Sequence, residues 1–281
     1  MTENTKHETV LVTAATGKTG RRVAERLAAR GRTVRAGTRS ASRDGEVRFD
    51  WADASTWGPA LRGVDRAYVA YVPDLAAPTA APALREFGRL AVAQGVRRLV
   101  LLSGRGEPQA EAAEAALRES GAEVTVVRAS FFAENFSEGL LVDGILAGEL
   151  PFPAGEVAEP FILADDLADV VVAALTGDAR AGVVHEVTGP RALTFGEAVA
   201  EIGRAAGRDI RYVPVSGAQY AELLVGFGLP AGESAFLAGL FTALLDGHNT
   251  PVTDGVKRAL GRDPQPFTAY AHTAATTGAW S

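Results

Sequence analysis

The chain has 281 residues, 47% of them hydrophobic and 22% charged, which is enough for a full core and the balance of a folded protein rather than a disordered or membrane-spanning one. Its formal net charge of -6 argues against a nucleic-acid backbone as the partner, since phosphate contacts need a basic surface. The lack of cysteine excludes disulfides, thiolate metal sites and cysteine nucleophiles.

The polar opening MTENTKHE contains no apolar run of signal-peptide or membrane-span length, so a cytoplasmic protein is expected. Thr9–Thr13 (TVLVT) reads as the first strand and Arg21–Arg30 as the first crossover helix. Val23, Ala24, Leu27 and Ala28 fall on one face of that helix, and Gly31 stops it. Further strands are predicted at Thr33–Gly37, Val47–Phe49, Ala67–Val72, Leu99–Leu102 and Glu123–Arg128, several of them apolar throughout, as strands covered on both faces are. Helices at Pro82–Ala93 and Ala110–Ser120 connect them, and the alanine-rich stretch Ala76–Ala83 reads as a loop.

This alternation predicts βαβ units on a parallel sheet. Beyond Pro151 come a strand at Pro160–Leu163, a helix capped by Asp165 and Asp166 that runs through Leu175, and a strand at Val183–Val187. Thr194 and Glu197 then have capping-box spacing before a helix at Phe195–Ala206. From Ser216 onward, helices broken by glycine and proline read as a lid or substrate wall. The expected fold class is α/β, a Rossmann-type doubly wound parallel sheet with a small, mostly helical C-terminal subdomain. Residues 7–155 are expected to bind the dinucleotide and 156–281 the substrate, with the strands near 160–163 and 183–187 joining the main sheet or its edge.

Among the charged residues, Arg21 with Arg22 and Arg97 with Arg98 read as solvated faces. His7, His185, His248 and His272 make no helical i, i+4 pair, so no metal site is expected, and His185 reads as structural.

The first strand runs straight into Ala14-Ala15-Thr16-Gly17-Lys18-Thr19-Gly20 and then a helix, the context in which a glycine fingerprint gains meaning. Gly17 lets the backbone approach a pyrophosphate, Gly20 permits close helix-to-strand packing, and the helix start offers amide donors and the positive end of its dipole. Thr13, Thr16, Lys18 and Thr19 join them as candidate cofactor residues. Ala14 stands where the usual pattern has its first glycine. A positive φ there costs an alanine about 1 kcal/mol, and a negative φ costs nothing. The alternative is a tight turn that binds nothing.

Cofactor choice is read at the end of the second strand, where NAD binders carry an acidic residue and this chain has Gly37-Thr38-Arg39-Ser40. Arg39 offers a planar charged fork to a 2′-phosphate, with Ser40 beside it and no carboxylate to repel it. NADP(H) is therefore favoured over NAD(H), and Arg43 is a second candidate; a solvent-facing loop arginine is the alternative reading.

The segments VTAATGKTGRRVAERLAARG (12–31), FDWADASTWGPALRGVD (49–65), RLVLLSGRG (98–106), VVRASFFAENF (126–136), LTFGEAVAEIGRAAGR (193–208) and PVTDGVKRALGR (251–262) follow one another in a telling order. Together they resemble the NmrA-like branch of atypical short-chain dehydrogenases/reductases, especially the group related to ergot alkaloid biosynthesis reductases. The resemblance implies that Asp50 and Trp51 lie near the adenine and that Tyr71, Val72 and Pro73 follow the fourth strand beside the cofactor. It implies a catalytic hydroxyl on Ser103 at the fifth strand's carboxyl end. It also implies that Ser130, Phe131 and Phe132, with Asn135 nearby, line the nicotinamide or substrate. Core packing is the alternative for one of the two phenylalanines. Ala129 replaces the family's usual proline.

The superfamily's proton donor is a Tyr-x-x-x-Lys pair on the helix after the fifth strand, and here that helix reads EPQAEAAEAALRESG, with neither residue. Three functions stay open. The first, and the expected one, is hydride transfer from NADPH to a small apolar electrophile that needs little acid help: an iminium, a quinone or an enone. The second is a non-catalytic NADP-sensing regulator, and the third a non-redox isomerase or cyclase using Ser103, Asp165, Asp166 or His248. A small-molecule substrate is expected, with no nucleic-acid or membrane partner, in a monomer or homodimer.

Overall fold

Apolar runs in the first half of the chain pair as parallel strands in the computed structural model, which describes residues 8–177 and 180–281. His7 lies outside the described residues. In chain order the strands are β1 (Thr9–Val12), β2 (Thr33–Thr38), β3 (Glu46–Arg48), β4 (Arg66–Val69), β5 (Arg98–Gly104), β6 (Glu123–Ala129), β7 (Glu149–Phe152), β8 (Ala158–Glu159), β9 (Val184–Val187), β10 (Leu193–Thr194) and β11 (Arg211–Pro214). The helices are α1 (Lys18–Ala29), α2 (Trp57–Leu61), α3 (Ala80–Ala93), α4 (Pro108–Arg118), α5 (Val142–Ala147), α6 (Ala164–Thr176), α7 (Phe195–Ala206), α8 (Gly217–Gly226), α9 (Ala231–Leu244), α10 (Gly255–Leu260) and α11 (Phe267–Thr276).

The main sheet has the order β3-β2-β1-β4-β5-β6-β9, and every pairing in it is parallel. The chain winds outward from β1 to β3, then returns to the other side of β1 with β4, so the switch point lies between β1 and β4. Helix α1 packs on α6, and α3 packs on α4. Leu11, Val69, Leu99 and Leu101 share one buried cluster with Leu84, Phe87 and Leu117. Each such side chain contributes about 1.5–3 kcal/mol by leaving water.

Contacts divide the chain into two units that do not meet at residue 155. The first comprises the described residues up to Ala129, then Ala164–Val187 and Gly255–Arg262; the second comprises Ser130–Leu163, Thr188–Asp254 and Asp263–Ser281. Helix α6 belongs to the first because Val170 to Leu175 are all buried, and a helix apolar on so many sides needs a sheet beneath it. Strand β9 forms the sheet's last edge, with Val184 opposite Val126.

Residues 160–163 form no strand of that sheet. Pro160 has no amide to donate, its carbonyl accepts from Ser130 Oγ and from the Gly189 amide, and only Ile162 makes a single bridge, to Phe132. Two other boundaries differ from expectation. β4 stops at Val69, because the Ala70 amide donates to Thr13 Oγ1 instead of continuing the ladder. The stretch Ala80–Ala83 is helical, with Pro82 in the first turn of α3, where a missing amide costs no bond. The expected capping box on α7 is formed by Thr194 and Glu197.

The second unit is built on aromatic rings. Phe136, Phe152, Phe161, Phe195 and Phe267 are buried together, β7 pairs parallel with β11, β8 pairs antiparallel with β10, and Trp280 Nε1 donates to Phe136 O at 2.8 Å.

Candidate functional site

Thr13 to Gly17 turn the chain from β1 into α1. Ala14 has φ 48°, in the left-handed region. The Gly17 amide donates to Ala14 O at 2.9 Å, and the Ala15 amide to Gly37 O of β2 at 3.1 Å. Gly17 is the N-cap, and the first helical bond runs from the Arg21 amide to Gly17 O at 3.1 Å. The amides of Lys18, Thr19 and Gly20 thus precede the ladder, and the first turn carries no acidic side chain. That end of the helix favours an anion. A Cβ on Gly20 would lie 2.2 Å from Ala14 O, so only glycine lets the helix come this close.

Two of the threonines assigned to the cofactor do other things. The buried Thr13 hydroxyl lies 3.2 Å from the carbonyls of Tyr68 and Ala70 and accepts from the Ala70 amide at 2.8 Å, so it ties β1 to β4. Thr19 Oγ1 accepts from the Tyr68 phenol at 2.9 Å, a phenol whose pKa burial pushes far above its usual range. Thr16 and Gly17 are exposed, and Lys18 is half-buried.

At the end of β2, Arg39 and Ser40 are exposed, and Arg39 has no ion pair among the described residues. Thr38 Oγ1, which sequence reading passed over, is buried with no hydrogen-bond partner among them. The loop that follows is held by the Glu46 carboxylate, which accepts from the Ser42 and Arg43 amides at 2.8 and 3.0 Å; these bonds lower its pKa. Beyond β3, the Asp50 carboxylate accepts from the Ala52 amide at 3.0 Å. Trp51 donates from Nε1 to Ala70 O at 2.9 Å, and its ring lies between 4.9 and 5.5 Å from those of Phe49, Trp57, Tyr71 and Phe87. Tyr71 donates to Thr79 Oγ1 at 3.0 Å, Val72 is exposed, and the Val72–Pro73 peptide is cis.

Ser103 does lie at the carboxyl end of β5, but its hydroxyl donates to Glu114 of α4 at 2.6 Å. Glu114 is 1% exposed and is gripped by Arg128 Nε and Nη2 at 2.9 and 2.8 Å. The one proton of Ser103 is therefore given to a buried carboxylate. Beside it, Glu107 is the N-cap residue of α4, and a Cβ built on Gly104 would lie only 2.1 Å from Glu107 Oε1. This carboxyl rests directly on the end of β5. Burial first, and then the field of Asp74, push its pKa up to about 7. Asp74, which follows Pro73, accepts from the Ala76 amide at 2.7 Å and is itself raised by burial.

A glycine-tight turn on the first strand, a helix start directly after it and a switch point beside them are what a dinucleotide-binding sheet requires. The family described as NAD(P)H-binding matches residues 14–178. The chain belongs to that family. Among the oxidoreductases of this NAD(P)H-binding family, it is 35% identical over 98% of its length, and 99% of the relative's, to the uncharacterized oxidoreductase YesF of Bacillus subtilis. It is 30% identical to agroclavine dehydrogenase of Claviceps fusiformis over 93% of this chain and 96% of that one. An NADPH-dependent quinone oxidoreductase of Escherichia coli, solved with NADPH, shares the fold with a TM-score of 0.79 at 22% identity, covering 94% of this chain and 99% of that one. Festuclavine dehydrogenase of Aspergillus fumigatus also matches, at 29% identity over 94% of this chain and 96% of that one, in keeping with the expected likeness to the ergot alkaloid reductases.

The remaining assigned residues of this NAD(P)H-binding protein fall elsewhere. In the second unit Ser130 donates to Pro160 O at 2.6 Å, and Phe131 lies within 6.2 Å of the rings of Phe152, Phe161, Phe195 and Phe241. Phe131 is thus packed against the core, while Phe132 and Asn135 are half-buried around a short 3-10 turn. Asp165, Asp166 and Asp169 are shared between Arg26 and Arg262 at 2.5–2.7 Å, a structural network that removes the two aspartates as catalytic candidates. His248 is bonded to Asp246 of its own loop, and His185 is buried against Arg180 O. Arg98 pairs with Glu123 at 2.5 Å and is not a solvated residue. No described helix is long and apolar enough to cross a membrane.

Proposed function

We propose that this protein is an NADPH-dependent reductase that delivers hydride to a small, largely apolar electrophile such as an iminium ion, a quinone or an enone. The turn from Ala14 to Gly20 carries this reading, because it fits the group on geometry alone. Glycine at position 20 lets the helix start pack against the Ala14 carbonyl, and three amides stand ahead of the first helical bond. The amides of Lys18, Thr19 and Gly20, with the side chains of Thr16 and Lys18 beside them, would hold the pyrophosphate. Arg39 and Ser40 would hold a 2′-phosphate, and the unpartnered Thr38 hydroxyl would face the ribose.

Asp50 and the wall of Trp51, Tyr71, Val72 and Pro73 would border the bases of the dinucleotide. A bound nicotinamide supplies hydride chemistry to such a site. The chain's own part is to hold and orient it and to limit water at the strand ends. Agroclavine dehydrogenase and a quinone oxidoreductase are relatives whose names fit this class of electrophile.

A second reading, an NADP sensor without turnover, is favoured by the missing Tyr-Lys pair and by the committed proton of Ser103. Calorimetric titration with NADPH and NADH, followed by mixing with quinones and cyclic iminium salts, separates the two. The reductase oxidises NADPH; the sensor binds it and does nothing further; an isomerase converts substrate without changing nicotinamide absorbance. Gly17→Val is expected to abolish binding, and an unchanged affinity would remove the pyrophosphate from this turn.

A further inference from the structure

Reducing a neutral quinone or enone takes one hydride and one proton, whereas an iminium takes the hydride alone. The geometry points to Glu107 as the residue that supplies that proton, a role that rests on the reductase reading and extends its substrates from cationic to neutral acceptors.

The other groups at the carboxyl ends of the central strands are already engaged. Ser103 gives its proton to Glu114, the Tyr68 phenol donates to Thr19, and the Tyr71 phenol donates to Thr79. The Glu107 carboxyl has no hydrogen-bond partner and no cation among the described residues, and it rests on Gly104 where β5 ends. Open parallel sheets bind their ligands outside such strand ends, and β4 and β5 lie just past the switch point. The charged group that faces Glu107 is Asp74, from the connection after β4. Burial first, and then the field of Asp74, favour the protonated form of the Glu107 carboxyl. The neighbouring charges are taken elsewhere: Glu111 and Glu114 by Arg128, and Arg105 by Glu186. With its pKa at about 7, Glu107 carries a proton in a large share of molecules at neutral pH.

In the step itself the acceptor carbon gains a hydride, with its electron pair, from the dihydronicotinamide, which is oxidised. The π pair of the acceptor moves out to its oxygen, and that oxygen takes the proton as the Glu107 Oε–H bond breaks. Water then returns a proton to the carboxylate.

Two measurements test this. The first uses the protein without cofactor: the infrared difference spectrum across pH should show a carboxyl that titrates near neutrality in the wild type and is missing in Glu107→Gln. A wild-type spectrum with no such group overturns the proposal. The second compares NADPH oxidation by a para-quinone and by a preformed cyclic iminium salt. Glu107→Gln is expected to lower the quinone-to-iminium rate ratio by about 10²-fold or more. Gly104→Ala should lower it too, since the new methyl pushes the carboxyl away while leaving it in the chain. An unchanged ratio in both variants, with an active wild type, overturns the donor role alone. A wild type that binds NADPH and reduces neither compound overturns the reductase reading and the donor role together.

Discussion

The turn after β1 and the end of β5 lie on the same edge of one sheet, but they are built from different material. The turn works through backbone: three amides, two glycines and a carbonyl whose positions follow from bonds made within a few residues. The end of β5 works through side chains, with Ser103, Glu107, Glu114, Arg128 and Asp74 brought in from four segments. A site made of backbone tolerates most side chains and fails when a Cβ intrudes. A site made of buried charges fails when one partner is removed, because the other is left without compensation.

The sharpest test of that contrast is Arg128→Ala. It leaves Glu114 buried without its cation, and breaking a buried pair of this kind costs about 3–5 kcal/mol. Urea denaturation should show this loss, while the affinity for NADPH, which the proposed function assigns to the turn, should change little in whatever fraction remains folded. A loss below about 1 kcal/mol would put the pair in the class of surface bridges.

Glu107→Gln probes the same end with a smaller effect and a definite sign. The unfolded carboxyl titrates near its ordinary 4.5 and the folded one at about 7, so the folded state holds the proton more tightly. Wild-type stability from this group is full below the lower value and drains away as pH rises through the upper one. The glutamine has no such dependence. It should therefore gain on the wild type between those limits by on the order of 2 kcal/mol, allowing for solvent screening, and thermal melts across pH would show it. A constant gap between the two melting temperatures would return Glu107 to an ordinary exposed acid.

The contrast also explains which parts were legible in the sequence. The strand, turn and helix around Gly17 and Gly20 are contiguous, and the spacing alone announces them. So does the order of the first six strands, where periodicity is strong. Glu107 stands at the start of the same helix that lacks tyrosine and lysine, yet an acid before Pro108 looks like any helix start. Its burial on Gly104 and the approach of Asp74 depend on tertiary packing. The bond of Ser103 is hidden for the same reason, since nothing local reveals that Glu114 takes its proton. The segment at 160–163 was read as a strand from its apolar run, and Pro160 decided otherwise.

Returning to the turn side, Arg39→Asp should separate the cofactors. On the proposed reading the exposed guanidinium meets a 2′-phosphate at the end of β2, and an aspartate there would repel it. The affinity for NADPH relative to NADH is expected to fall about tenfold, or about 1.4 kcal/mol, by calorimetry. Equal losses for both would move the 2′-phosphate elsewhere.

The smallest effect should come from Ala14→Gly, and it runs in the stabilising direction. Ala14 sits at φ 48°, where its Cβ crowds the following carbonyl and glycine feels no such cost. Against this, glycine gives the unfolded chain more freedom, which returns part of the gain. The balance is at most about 0.5 kcal/mol in favour of the variant, a rise of up to about 2 °C in melting temperature. The bonds that place the amides, from Gly17 to Ala14 O and from Ala15 to Gly37 O, are backbone bonds that survive the change. NADPH should therefore bind the variant as well as it binds the wild type. A melting temperature that falls would mean the alanine's limit on the unfolded chain outweighs its strain in the fold. A loss of affinity would mean that the methyl group itself, and not the amides alone, shapes the cradle.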